Sequence, residues 1–183
     1  MNNNFNLEIR ALILNKKGRV EKEYPWKKAC CLIKAFMQVF YAQAAAAEEL
    51  VKDTSGVNKA ATSWGSTGTF VATLNDTTLG IVIGSGTTPV AMADFKLQTQ
   101  LTTNIAHAAQ TIALENPDSG TWRTVISRSL TNNTGAVLSI KEVALYGYGE
   151  WATDKFCYDR TLYSVDVPVG KTINLTYKFT ITL

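Results

Sequence analysis

Histidine is almost absent from this chain: His107 stands alone among 183 residues. A Ser-His-Asp or Cys-His mechanism needs an imidazole beside its nucleophile, and a zinc site wants about four convergent His, Cys or acidic ligands. One histidine inside a strand-like run serves neither, and His107 reads as a structural residue. Cysteine is nearly as scarce. Cys30 and Cys31 are adjacent and Cys157 is remote, so there is no CxxC spacing and no paired framework, and reduced, buried thiols are expected. Charge is thin: 18% of residues are charged against roughly 25% in ordinary soluble domains, while 46% are apolar. That balance points to surface buried against other protein. The formal charge of +3 is small and scattered, which excludes the electrostatic footprint of a nucleic-acid binder. Its one cluster, Lys16, Lys17 and Arg19, brackets Gly18 and reads as a solvated hairpin tip. The start, Met1 to Asn4, lacks the basic segment and apolar run of a secretory signal, so synthesis and first folding in a cytoplasm are expected.

What is present begins with alternation. Leu7, Ile9, Ala11 and Ile13 interleave with Glu8, Arg10 and Leu12, and the turn at Lys16 to Gly18 leads into Arg19 to Tyr24, an N-terminal β-hairpin. Pro25 suits a first helical turn, and the apolar run after it predicts one long helix over Trp26 to Ala47. Lys27, Lys34, Gln38 and Gln43 leave only a narrow polar stripe on that helix. Cys31, Leu32, Ala35, Phe36, Val39 and Phe40 occupy most of its circumference, so it must be buried on several sides. Lys34 and the two glutamines argue against a membrane span, and no membrane partner is expected. The small side chains from Ala44 to Ala47 allow close backbone approach, either against the chain's own β domain or against another subunit.

Asp53 to Thr78 is rich in Ser, Thr, Gly and Asn and reads as loop with one or two short strands. A compact apolar strand follows at Leu79 to Gly84. Strand signals then recur over Ile105 to Leu114, Thr121 to Thr131, Val137 to Tyr148, Lys155 to Val165 and Thr172 to Leu183, each bounded by turn residues. This spacing predicts an antiparallel β-sandwich. The last segment is the clearest, with Ile173, Leu175, Tyr177, Phe179, Ile181 and Leu183 on one face and polar residues on the other.

Three patterns invite chemistry and are weak. Gly84 to Thr88 is glycine-rich like a phosphate loop but lacks the following Lys and helix, so a turn is the expectation. Glu150, Asp154 and Asp159 would suit calcium or glycoside chemistry, yet Lys155 and Arg160 beside them suggest surface ion pairs. Trp122, Trp151 and Tyr148 offer sugar-stacking faces, although aromatics at strand spacing are usually core. No catalytic, cofactor-binding or metal-binding residue is assigned, and no enzyme activity or cofactor is expected.

Several segments match a recurrent pattern. Gly84, Gly86, Thr88, Pro89, Val90, Asp94, Phe95 and Leu97 follow V-G-x-G-x-T-P-V-x-x-x-D-Y-x-L, with Phe95 in the tyrosine place. Ser127 to Gly135 is similar to R-T-F-T-N-N-S-G, and Ile140 to Tyr146 to V-K-E-V-G-L-Y. Tyr158, Asp159 and Arg160, then Val165 to Tyr177, resemble a closing V-P-x-G-x-x-L-x-V-x-Y strand. In this order, over roughly Gly80 to the C-terminus, the chain resembles structural proteins of tailed bacteriophages. The resemblance implies a virion component of the tail, collar or head surface, with scaffold residues and no catalytic ones.

The combined expectation is a mainly β chain. Residues 1–52, the β-hairpin and long apolar helix, form an assembly element, and residues 53–183 form a β-sandwich-like domain. Assembly as a homo-oligomer with other virion structural proteins is expected, through Leu32, Phe36, Val39, Phe40, Tyr41, Ala44 and Ala45 of the helix. The rival is a carbohydrate-binding module for attachment to a host surface, which exposed Trp64, Trp122 or Trp151 would favour.

Overall fold

The structure, a computed structural model, describes residues 4–29, 34, 35, 38, 49–61, 70–148 and 154–182. Eleven strands account for the described architecture: β1 (Asn4–Leu14), β2 (Val20–Lys28), β3 (Glu49–Lys52), β4 (Asn58–Ala61), β5 (Gly80–Gly84), β6 (Ile105–His107), β7 (Thr111–Asp118), β8 (Thr121–Asn132), β9 (Leu138–Tyr148), β10 (Lys155–Val167) and β11 (Thr172–Thr182). They form three antiparallel groups. The large sheet runs β2-β1-β11-β8, with β6 and β7 sharing the far edge of β8, the second sheet runs β10-β9-β5, and β3 pairs with β4 as a ribbon.

The alternation seen in the sequence sets the layers. Leu7, Ile9, Ala11 and Ile13 of β1, Ile126 and Leu130 of β8, and Ile173, Leu175 and Tyr177 of β11 share one buried cluster with Ile81, Val143, Leu145 and Val165 of the second sheet. Two sheets therefore close on one core, as period-two patterning requires. The second sheet is covered on its other face as well, by Ala35, Val51, Leu97, Phe70 and Val90 packed against Val82, Ala144, Tyr146, Phe156 and Tyr158. That explains why β5 reads as continuously apolar, since all five of its residues are buried.

The long apolar helix expected over Trp26 to Ala47 is a correction. No helix is among the elements of the described residues, and Trp26, Lys27 and Lys28 continue β2, with Lys27 opposite Ile9 and Lys28 opposite Glu8. The register slips by one residue between Tyr24 and Lys27, so Pro25 and Trp26 sit in a β-bulge of an edge strand. A proline that lacks a backbone donor is tolerated there as readily as in a first helical turn. Lys34, Ala35 and Gln38 have helical backbone without composing an element. The expected contact residues Leu32, Phe36, Val39, Phe40, Tyr41, Ala44 and Ala45 lie outside the described residues, as do Trp64, Glu150 and Trp151. Among the described residues no helix is long and apolar enough to cross a membrane.

The N-terminal hairpin has the expected turn: Asn15 accepts the Lys17 and Arg19 amides on its side-chain oxygen, and Gly18 takes φ +74° at the tip. β1 then pairs with β11 along its whole length, from Asn4 opposite Thr182 to Leu14 opposite Thr172. The last strand keeps its core face as far as Tyr177. Beyond it the same face opens to solvent, with Phe179 half-buried and Ile181 50% exposed.

Candidate functional site

The densest polar cluster lies on the outer face of the second sheet, between β9, β10 and the loop that follows β5. Glu142 on β9 and Arg160 on β10 are both fully buried, and Arg160 Nε donates to Glu142 Oε2 at 2.7 Å. The guanidinium also donates through Nη1 to Asp94 Oδ2 at 2.8 Å and through Nη2 to the Thr88 carbonyl at 2.9 Å. Burial by itself would lower the pKa of Arg160. Hydrogen bonds and charge from Glu142 and Asp94 outweigh that and hold it above the ordinary arginine value.

Glu142 in turn holds the loop by its backbone. Its Oε1 accepts from Gly86 N at 3.1 Å and Thr99 N at 3.0 Å, and its Oε2 from Gln98 N at 3.2 Å. The two glycines make room for the carboxylate: a Cβ on Gly84 or on Gly86 would fall 2.5 Å from Glu142 Oε1. Asp94 caps its own turn by accepting from Ala91 N at 2.9 Å. Two residues on from Phe95, the Leu97 amide donates to the Tyr146 hydroxyl at 2.6 Å. The pKa of Tyr146 is pushed well up, first by burial and then by the neighbouring Cys157 and Glu142. Gly84 to Thr88, expected as a turn, instead leaves the end of β5 alongside residues 99–101, with Ser85 N donating to the Thr99 carbonyl at 2.8 Å; its Gly86 amide already serves an internal carboxylate, which would repel an incoming phosphate.

Three further buried clusters complete the picture. Asn132 Nδ2 donates to the Ala136 and Val167 carbonyls, both at 2.8 Å, and its Oδ1 accepts from Thr134 N at 2.9 Å, lacing the 132–136 turn to the end of β10. Asp159 Oδ2 accepts from the Tyr177 hydroxyl at 2.8 Å and from Thr161 Oγ1 at 3.0 Å inside the core. Arg128 on β8 is the second fully buried arginine and donates only to backbone carbonyls. These are Ala108 at 3.0 Å, Leu79 at 2.8 Å, Ile81 at 3.2 Å and Thr73 at 3.3 Å, together with Asp76. It draws the 73–81 segment and the start of β5 onto the large sheet.

Several residues singled out in the sequence are placed apart. Asp159 is buried among hydroxyls and Asp154 pairs with Lys59 at 3.4 Å, so these two carboxylates do not converge. Among the described residues no three His, Cys, Asp or Glu side chains are grouped to hold a metal ion. His107 is buried in β6 with neither ring nitrogen hydrogen-bonded, and burial, reinforced by Arg128 and opposed by Asp76, lowers its pKa to about 4. Trp122 is 49% exposed, at the end of the large sheet opposite Ile181, which lies opposite Phe5. Lys16, Lys17 and Arg19 stand beside the 169–171 turn, where Lys171 is paired with Glu21 at 2.6 Å.

The Glu142–Arg160 pair was not singled out in the sequence, although both residues fall inside the recurrent segments. The available signal was a charged residue in phase with apolar positions of its strand, Glu142 with Ile140, Ala144 and Tyr146 and Arg160 with Phe156 and Tyr158. No protein-family model, no curated protein and no solved structure matches the chain.

Proposed function

We propose that this chain is a non-enzymatic structural subunit of a bacteriophage particle, in the tail, collar or head-surface apparatus. It is made in the host cytoplasm, assembles into the virion, and works by packing against further copies of itself and against other virion proteins. The observation that carries the reading is the fate of the recurrent residues. Gly84, Gly86, Thr88, Asp94, Leu97, Glu142, Tyr146 and Arg160 come from three separate segments and meet in one clasp around the fully buried Glu142 and Arg160. Asn132, from a fourth segment, and Asp159, the sequence neighbour of Arg160, bind carbonyls and hydroxyls of the same scaffold. Polar groups spent on backbone in this way hold a shape and leave none of these side chains free for a substrate.

The rival is a carbohydrate-binding module, and half-exposed Trp122 is the observation in its favour. A sugar face needs hydrogen-bonding groups converging beside the ring. Trp122 has instead Ile181, 50% exposed, and Phe5, 54% exposed, along its row of the sheet. Such a row is better suited to packing against protein.

Light scattering and electron microscopy of the full-length chain test the proposal. A defined ring, tube or other closed oligomer is expected. A chain that stays monomeric over a hundredfold range of concentration, and binds a glycan array through Trp122, would overturn it.

A further inference from the structure

The large sheet has two edges, and they are built differently. β2 carries Glu21, Lys22, Glu23, Lys27 and Lys28, contains Pro25, and slips register twice against β1. Charge, proline and bulges are how a sheet edge is kept from pairing with another chain. β7, on the opposite side, has neither proline nor bulge over Thr111 to Glu115, and Glu115 is the only charge there; Pro117, Asp118 and a register shift come only after it. Its five residues there pair in unbroken register with Ser127 to Arg123, all eight residues of the strand are exposed, and among the described residues it pairs with β8 alone.

The apolar rows of the sheet run out onto that edge. Ile9, Tyr177 and Ile126 are buried in one row, and Ile112 ends it at 44% exposed. Leu7, Phe179 and Thr124 form the next, and Leu114 ends it at 69% exposed. Among the described residues both rows stop at β7, with no strand beyond it.

We propose that β7 pairs antiparallel with β7 of a second copy, on a two-fold axis through Ala113, joining two large sheets into one. The strand matches its own reverse in this register. Ile112 faces Leu114 of the second copy, Leu114 faces its Ile112, and both apolar rows continue across the seam on the core side. Thr111 meets Glu115, so no like charges are opposed. An isologous contact of this kind closes as a pair and, combined with other contacts, gives even-numbered assemblies. The inference rests on the reading of the chain as an assembly subunit and names one of its contacts.

The test uses the full chain with Cys30 and Cys31 replaced by Ser, the buried Cys157 being left in place. Ala113→Cys puts two thiols directly opposite each other, at a Cα separation of about 4.5–5.5 Å that a disulfide spans. Glu115→Cys puts them four residues apart along the seam, roughly 13 Å, which it does not. Mild oxidation should crosslink Ala113→Cys into a pair of 20.0 kDa chains and leave Glu115→Cys single. The double variant Ile112→Lys/Leu114→Lys changes two exposed side chains, and should halve the solution mass with circular dichroism unchanged. If Ala113→Cys crosslinks no better than Glu115→Cys, or the lysine variant keeps its full mass, the seam is not at β7. An oligomeric wild type in that case leaves the assembly reading standing, whereas a wild type at single-chain mass overturns both.

Discussion

Arg160 and Arg128 are equally hidden, 0% and 1% exposed, and each fastens a loop to a sheet, yet they are satisfied by opposite means. Arg160 meets two carboxylates and one carbonyl and joins the 86–99 loop to the outer face of the second sheet. Arg128 meets carbonyls only and joins the 73–81 segment to the large sheet. The pKa consequences differ in sign. Arg160 is held up by its carboxylates, while burial lowers Arg128 against only partial support from Asp76. A guanidinium can therefore be buried either by charge compensation or by a fan of backbone dipoles, and the two solutions leave different groups stranded when the side chain is lost.

The largest expected effect comes from the compensated site. Arg160→Met strands the fully buried Glu142 carboxylate, and removal of one partner from a buried pair costs about 3–5 kcal/mol. Urea unfolding should show this as a lower midpoint with the slope retained. Adding Glu142→Gln removes the stranded charge while keeping a carbonyl oxygen for the Gly86 and Thr99 amides. The double variant should thus be less damaged than the two single losses summed, and strict additivity would show that the pair is not coupled.

Arg128→Met should cost less, about 2–3 kcal/mol, because it strands carbonyls rather than an ion. If it proves as costly as Arg160→Met, the distinction between the two burials fails. Gly86→Ala sharpens the contrast from the loop side. The new Cβ would meet Gln98 Cβ and Glu142 Oε1, both at 2.5 Å, and forcing the clasp apart should cost about 1–3 kcal/mol. The same unfolding assay reads it.

How far these sites could be read in advance follows from the range of each signal. Local chemistry was legible: the Lys16 to Gly18 turn, the alternation of β1 and β11, and the turns at Asn132 to Gly135 and Pro168 to Gly170 all stand where their residues placed them. Strand existence was also legible from Thr121 onward, although the expected Ile105 to Leu114 strand is divided into β6 and β7 by a break at 108–110. The pairing of β1 with β11 joins the two ends of the chain, and nothing local announces it. At Pro25 local preference gave the wrong element, because first-turn helix and bulged edge strand ask the same thing of a proline, and the partner strand β1 decided between them. Burial of Glu142 and Arg160 was hidden for a related reason. Their partners lie across a hairpin and in a loop 43 to 72 residues distant in sequence, so composition reads each as surface charge.

The smallest effect tests the dipole-satisfied site through its neighbour. His107 is neutral in the fold because burial and the Arg128 charge disfavour its protonated form, with a pKa of about 4 against an ordinary 6.5. Between those values the unfolded chain binds a proton that the folded chain refuses. His107 therefore contributes stability that is fully present above pH 6.5 and is lost as pH falls towards 4, with a slope of at most one proton. Replacing it by Leu should flatten that part of the profile. At pH 8 the substitution should cost less than about 1.5 kcal/mol, since neither ring nitrogen makes a hydrogen bond that would be lost. Arg128→Met removes the cationic neighbour and should raise the His107 pKa, visible by NMR titration as a shift towards 6.5 and in unfolding as a narrower window. An unchanged His107 titration in that variant would mean that burial alone sets it, and that the Arg128 charge is already screened by the carbonyls around it.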